Sequence, residues 1–305
     1  MPQLTGVVPP VVTPLTDDRK LDVDSYERLI DRLITAGVDG LFVLGSTGEV
    51  VFSTDDRRRQ VVAEAVRIAA GRVPVVAGVI DTQTPRVLEQ LRAAEAEGAD
   101  AVVATAPFYA ITPQAQVRRH FEILAEVAQV PVLAYDIPVC VHVKLDGDML
   151  LELGRDGVLA GVKDSSGDDV AFRRLALANR AAGEPLTLLT GHEVVVDGAY
   201  LAGAHGSVPG LGNVDPEGFV RMHRAYLAGD WTTVRSEQDR LARLMQIVSV
   251  PRSTSGWGAG VGAFKTALML QGVITSNQLP EPFDPLSDDD VARVRAVLEE
   301  YGPRR

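Results

Sequence analysis

Eight short, β-rich apolar runs recur along this chain with helix-like stretches between them. That rhythm constrains the fold more than any other feature. The runs are residues 6–13, 40–45, 73–79, 100–105, 130–135, 159–163, 186–190 and 205–208. From the second to the seventh, their ends lie 26 to 34 residues apart. The intervening stretches read as helices. Residues 25–37 carry Leu29, Ile30, Leu33 and Ile34 at amphipathic spacing. Ser53, followed three residues later by Asp56, is close to a capping box and predicts the next helix start. Residues 84–98 open on Thr84-Pro85 and end on Gly98, as helices tend to.

Strands that are nearly all apolar and alternate with helices belong to a parallel sheet covered on both faces. Eight such units at this length predict a closed (β/α)8 TIM barrel with a C-terminal helical extension. An open doubly wound sheet would want Gly-x-Gly-x-x-Gly after the first strand, where the chain reads Val11-Val12-Thr13-Pro14-Leu15-Thr16. The barrel is expected over residues 1–214. Residues 215–305 read as helical at 215–229, 230–248, 262–272 and 288–301, with no linker rich enough to separate them. They are expected to pack on the barrel.

Bulk properties exclude several function classes. A formal net charge of -11 and a pI near 5.0 repel phosphate backbones and anionic lipid, so neither nucleic acid nor a membrane is an expected partner. The single cysteine, Cys140, allows no internal disulfide and fits a reducing compartment. The amino terminus lacks the features of a signal peptide, and no apolar run approaches membrane-spanning length. The expected location is the cytoplasm. The five histidines show no metal-ligand spacing, and no cofactor or metal is expected.

Among 30 basic residues only Lys20, Lys144, Lys163 and Lys265 are lysines. Arginine cannot lose its proton in a protein, whereas a desolvated lysine can attack a carbonyl and form a Schiff base. Lys163 ends the apolar run from Val158 and precedes Asp164-Ser165-Ser166-Gly167-Asp168. A strand buried on both sides would favour its neutral amine. From position alone it reads equally as an ion-pair partner at the edge of the core.

Barrels carry their chemistry at the carboxyl ends of strands. After the second run comes Gly45-Ser46-Thr47-Gly48-Glu49, where hydroxyls and backbone N–H groups could wrap a carboxylate or a phosphate. An ordinary strand-to-helix turn is the competing reading. The fifth run ends on Tyr135, either a proton-passing hydroxyl or a packed aromatic. The fourth leads to Tyr109, the seventh to His192 and Glu193. The eighth leads to Val208 and Gly210 in a glycine-rich stretch.

Taken in this order and spacing, the loop 45–49, the run Tyr135-Asp136-Ile137-Pro138 and the stretch Gly161-Val162-Lys163-Asp164-Ser165-Ser166-Gly167 resemble the dihydrodipicolinate synthase / N-acetylneuraminate lyase family. The likeness covers residues 6–214. It implies a (β/α)8 barrel that forms a lysine imine with pyruvate or another 2-keto acid, commonly as a homotetramer or homodimer. By this resemblance Lys163 is the Schiff-base lysine, and Tyr135 relays protons. Ser46 and Thr47 supply carboxylate-binding hydroxyls between Gly45 and Gly48, with Ser46 also in the relay. Tyr109 matches a tyrosine that, in the synthases, reaches into a neighbouring subunit's site. Glu193, Val208 and Gly210 are expected to line the substrate site.

Two departures bear on the second substrate. Where the synthases place an arginine two residues beyond the proline, this chain has Cys140, and Asp136 stands where asparagine is usual. Residues 138–145 align better with the sialic acid lyase pattern, yet that lyase's acidic pair is reduced to Glu193 followed by Val194. The expected function is a Schiff-base lyase or aldolase that cleaves or forms a C–C bond of a 2-keto acid. The alternatives are 4-hydroxy-tetrahydrodipicolinate synthase, a 2-keto-3-deoxy acid dehydratase, and a non-enzymatic keto-acid sensor.

Overall fold

The computed structural model describes residues 4–303. Eight strands, β1 (Gly6–Val7), β2 (Leu41–Val43), β3 (Val75–Gly78), β4 (Ala101–Thr105), β5 (Val132–Asp136), β6 (Gly161–Asp164), β7 (Thr187–Thr190) and β8 (Gly206–Ser207), form one parallel sheet. Each of β2 to β8 pairs with its successor or predecessor in the chain, and β8 returns to pair with β1. The remaining seam closes through a parallel bridge between Pro10 and Phe42. Prolines cannot donate to a ladder, so the seam uses the Pro9 carbonyl, which accepts from Phe42 N at 3.1 Å. Val11 N donates to the Phe42 carbonyl at 2.8 Å. The result is the predicted (β/α)8 barrel.

Helices follow the strands: α1 (Val23–Ala36), α2 (Asp55–Ala69), α3 (Thr84–Ala96), α4 (Gln114–Val127), the single turn α5 (Pro138–Val141), α6 (Gly147–Arg155), α7 (Asp169–Ala181) and α8 (Val196–Ala202). Helix α1 shows why the pattern works. Asp22 caps its first turn by accepting from Ser25 N, and Gly37, at φ 91°, ends it in the left-handed conformation. Its stripe of Leu29, Ile30 and Leu33 is fully buried. Each such side chain contributes about 1.5–3 kcal/mol, and Leu33→Ala would cost about 2–5 kcal/mol. The start of α2 differs from expectation. Thr54, not Ser53, is the cap and accepts from Arg57 N, while Ser53 Oγ donates to the Glu49 carbonyl at 3.1 Å. Ser53 is thus occupied in fastening the preceding loop.

Four helices complete the chain: α9 (Pro216–Leu227), α10 (Trp231–Leu244), α11 (Gly256–Leu270) and α12 (Asp288–Tyr301). Helix α9 lies against β1 and α1, so residues beyond 214 complete the ring of helices. Helix α11 begins six residues before the expected 262 and packs beside the turn at 210–213 and against α12. Among the described residues no helix is long and apolar enough to cross a membrane.

Candidate active site

Successive side chains on a strand point to opposite faces, and partners across a parallel ladder share a face. Tyr135 of β5 is in register with Lys163 of β6, and the next pair is Asp136 with Asp164. Tyr135 and Lys163 therefore project into the barrel together. Phe42 of β2 joins them, its ring meeting that of Tyr135 edge to face at 6.2 Å between centres. Lys163 is 5% exposed, and its Nζ lies 3.6 Å from the Tyr135 ring centre and 5.2 Å from that of Phe42. The amine thus stands against aromatic faces at the carboxyl end of β6.

The loop after β2 reaches over this amine. Ser46 Oγ and the Tyr135 hydroxyl are 3.4 Å apart, and either can donate. Thr47 is half-buried beside it. The loop is anchored along its length. Thr13 Oγ1 donates to the Gly48 carbonyl at 2.9 Å, and the Trp257 indole N–H donates to the Ser46 carbonyl at 2.9 Å. A Cβ at Gly48 would fall 2.9 Å from Leu44 N and 3.0 Å from the Val11 carbonyl oxygen, so only glycine lets the chain pass there. Hydroxyls and turning backbone above a lysine suit a carboxylate whose neighbouring carbonyl meets the amine.

The opposite wall holds a carboxyl. Glu193, after β7, accepts from Leu211 N at 2.6 Å with the Gly210 N–H close by, while Gln238 Nε2 donates to its backbone carbonyl at 3.2 Å. Burial pushes the carboxyl up to about 7, against the opposing pull of those N–H groups and of the Lys163 charge. Val208 is buried and donates its N–H to Thr190. Cys140, on α5, is an exposed residue whose thiol lies within hydrogen-bonding reach of Ser46 and within the field of Lys163.

Ser46, Tyr135, Lys163, Cys140 and Glu193 thus converge, with Gly210 beneath Glu193. Tyr109 stands apart: it is 94% exposed, with a left-handed φ of 78°. His192 sits at the rim, where its Nδ1 is 3.3 Å from Asp169. No group of three or more potential metal ligands occurs among the described residues.

Two buried charge clusters have no counterpart in the sequence reading. On the far side of β5 and β6, Asp136 is fully buried and ion-paired to Lys144, whose Nζ is also 3.8 Å from Asp164. Asp136 also accepts from Leu145 N at 3.1 Å, and Asp164 from Ser166 N and Oγ at 2.8 and 2.7 Å. The aspartate in place of the usual asparagine was the available signal, with a lysine eight residues on to neutralise it. Beneath the loop 45–49, Glu49 is ion-paired to Lys265 of α11, both essentially unexposed. Nothing local in the sequence links these two residues. The fourth lysine, Lys20, is an exposed partner of Asp18 at 2.6 Å.

Comparison with known proteins gives a consistent answer. The model of the dihydrodipicolinate synthetase family matches residues 3–301. A 4-hydroxy-tetrahydrodipicolinate synthase from Phenylobacterium zucineum is 33% identical over 303 residues, covering 99% of this chain and 98% of the relative. The crystal structure of YagE, a prophage protein of E. coli K12 solved with pyruvate, superposes with a TM-score of 0.91 at 28% identity, over 97% of this chain and 98% of that one. Dihydrodipicolinate synthase from Bacteroides thetaiotaomicron gives 0.91 at 32% identity, over 97% and 98%. The chain belongs to the dihydrodipicolinate synthetase family and is a lyase-type enzyme of the class I, pyruvate-dependent aldolase kind.

Proposed function

We propose that Lys163 forms an imine with the keto carbon of pyruvate or a pyruvate-derived 2-keto acid, and that the enzyme makes or breaks the adjacent C–C bond with an uncharged, hydroxyl-bearing aldehyde. The observation that carries this reading is the buried Lys163 amine packed on Tyr135, whose hydroxyl lies 3.4 Å from Ser46. The loop from Gly45 to Gly48 receives the substrate carboxylate with Ser46 and Thr47 as donors. The Lys163 amine, once it has given up a proton, attacks C2 to give a carbinolamine. Loss of water, its oxygen protonated through Tyr135, leaves the imine. Removal of a C3 proton gives an enamine whose C3 adds to the aldehyde carbon while the aldehyde oxygen takes up a proton, and water then hydrolyses the product imine to free Lys163. The same steps reversed cleave the product.

The acceptor end supports an uncharged partner. Cys140 offers a weak donor, and Glu193 offers a carboxyl that would repel an anionic aldehyde once ionised. Val208 and Gly210 line the wall beside it. The synthase reading, pyruvate plus aspartate semialdehyde, is favoured by the names of the relatives but would need a cationic clamp that Cys140 does not provide. The exposed, strained Tyr109 supports an assembly, a homodimer or homotetramer, in which that ring is covered by a neighbouring subunit.

Treatment with pyruvate and borohydride should label Lys163, because reduction traps the imine. An adduct on another lysine, or none with any 2-keto acid, would overturn the mechanism. Mass spectrometry of products from pyruvate with a panel of aldehydes then names the acceptor.

A further inference from the structure

The keto-acid loop does not stand on the barrel alone. Helix α11 touches it at two points eight residues apart, two turns along one side of the helix. At the near end, the Trp257 indole donates to the Ser46 carbonyl at 2.9 Å. At the far end, the fully buried Lys265 ammonium meets the Glu49 carboxylate and donates to the Gln278 carbonyl at 2.8 Å. The Glu49 carboxylate has no partner besides this ammonium among the described residues. Burial pushes the Glu49 carboxyl up and the Lys265 ammonium down, and each restrains the other's shift. Glu49 also holds a left-handed backbone, φ 63°, a conformation that a non-glycine residue keeps only when its surroundings enforce it. The Trp257 ring is itself wedged between Phe52, at 4.5 Å between centres, and Phe283, at 5.0 Å.

From this geometry we propose that α11 is a positioning element for the keto-acid site. Trp257 and the Lys265–Glu49 pair fix the two ends of the loop 45–49, and so set how well Ser46, Thr47 and the intervening N–H groups meet the substrate carboxylate. The inference rests on the keto-acid reading of the site. It adds that residues outside the barrel, none of them touching substrate, determine the affinity of the first substrate. Neither residue takes part in a bond-making step, and the reacting lysine remains Lys163.

The test is the pyruvate dependence of imine formation, read as the fraction of full-length protein reduced by borohydride at each pyruvate concentration. Wild-type protein is the control for the underlying reading: if it forms no imine at all, that reading fails and this one is not reached. Trp257→Phe keeps an aromatic ring but removes the donor to Ser46. It should raise the half-saturating pyruvate concentration roughly 2- to 12-fold, the worth of one hydrogen bond, with little change in the yield at saturation or in melting temperature. Lys265→Met leaves Glu49 buried and unpaired and should raise it by about tenfold or more. Adding Glu49→Gln to Lys265→Met should restore part of the affinity, because the stranded charge is removed. Half-saturation equal to wild type in Trp257→Phe, whether or not Lys265→Met folds, would overturn the proposal and leave α11 a scaffold only.

Discussion

Replacing Glu193 by glutamine should change the pH dependence of folding, and the sign follows from the environment of that carboxyl. Its folded-state value is pushed from an ordinary 4.5 up to about 7. The folded protein therefore holds this proton more tightly than the unfolded chain does. The associated stability is fully present below about 4.5 and is lost as the pH rises toward 7, beyond which nothing further changes. Integrated between pH 5 and pH 8, the loss comes to about 2–3 kcal/mol, with water at the barrel mouth pulling it toward the lower figure. Glutamine occupies the same volume and can still accept from Leu211 N, but it does not titrate. Urea unfolding of both proteins at these two pH values, at one fixed protein concentration, gives the comparison. The stability of Glu193→Gln relative to wild type should rise by about 2–3 kcal/mol from the lower to the higher pH. An identical difference at both values would refute the assignment of a destabilised carboxylate to Glu193. If the carboxyl also handles a proton of the acceptor hydroxyl, the limb near neutrality in the pH profile of kcat/KM should vanish with the same substitution.

Tyr135→Phe should lower turnover by roughly 10²–10⁴, the usual worth of a positioned acid/base group, while pyruvate affinity suffers less because the ring against Lys163 remains; steady-state kinetics showing wild-type turnover would make Tyr135 a packing residue only. With pyruvate as donor, aspartate semialdehyde should be used less efficiently than a neutral hydroxyaldehyde by roughly one to two decades, the worth of the missing hydrogen bond to a charged group. Cys140→Arg should narrow that gap, and a wild-type preference for the semialdehyde by a decade or more would make this a lysine-pathway synthase.

What could be read from the sequence was whatever is local. Runs such as residues 130–135 and 159–163 are apolar because both faces of those strands are covered, and their spacing alone implied the barrel. The residues at the strand ends could be named as candidates because the fold puts strand ends at the mouth. Helix α11 begins at Gly256 rather than the expected 262, and its first turns carry Gly256, Gly258 and Gly260, which are poor helix formers. The structure gives the reason for one of them: a Cβ at Gly258 would lie 2.8 Å from the Phe283 ring, so a poor helix former is kept for close packing. The Lys265–Glu49 pair spans more than two hundred residues of chain, and no periodicity or spacing could announce it. Lys144 stands eight residues beyond Asp136 in the sequence, but their partnership depends on how the chain turns after β5.

The cluster of Asp136, Asp164 and Lys144 behind β5 and β6 has a consequence for which structures the chain can reject. On each strand the reacting residue and the acidic one are adjacent, so a slip of either strand by one position would exchange them. Tyr135 or Lys163 would leave the lumen, and an aspartate would enter an apolar interior with no ammonium to meet it. The correct pairing is the one in which both carboxylates find Lys144 and the N–H groups of Leu145 and Ser166. Apolar strands buried on both faces discriminate poorly between neighbouring alignments, since any shift still buries hydrocarbon. A charge that has one place to go acts as a key to the alignment, and here it is cut into the two strands where misalignment would destroy the catalyst.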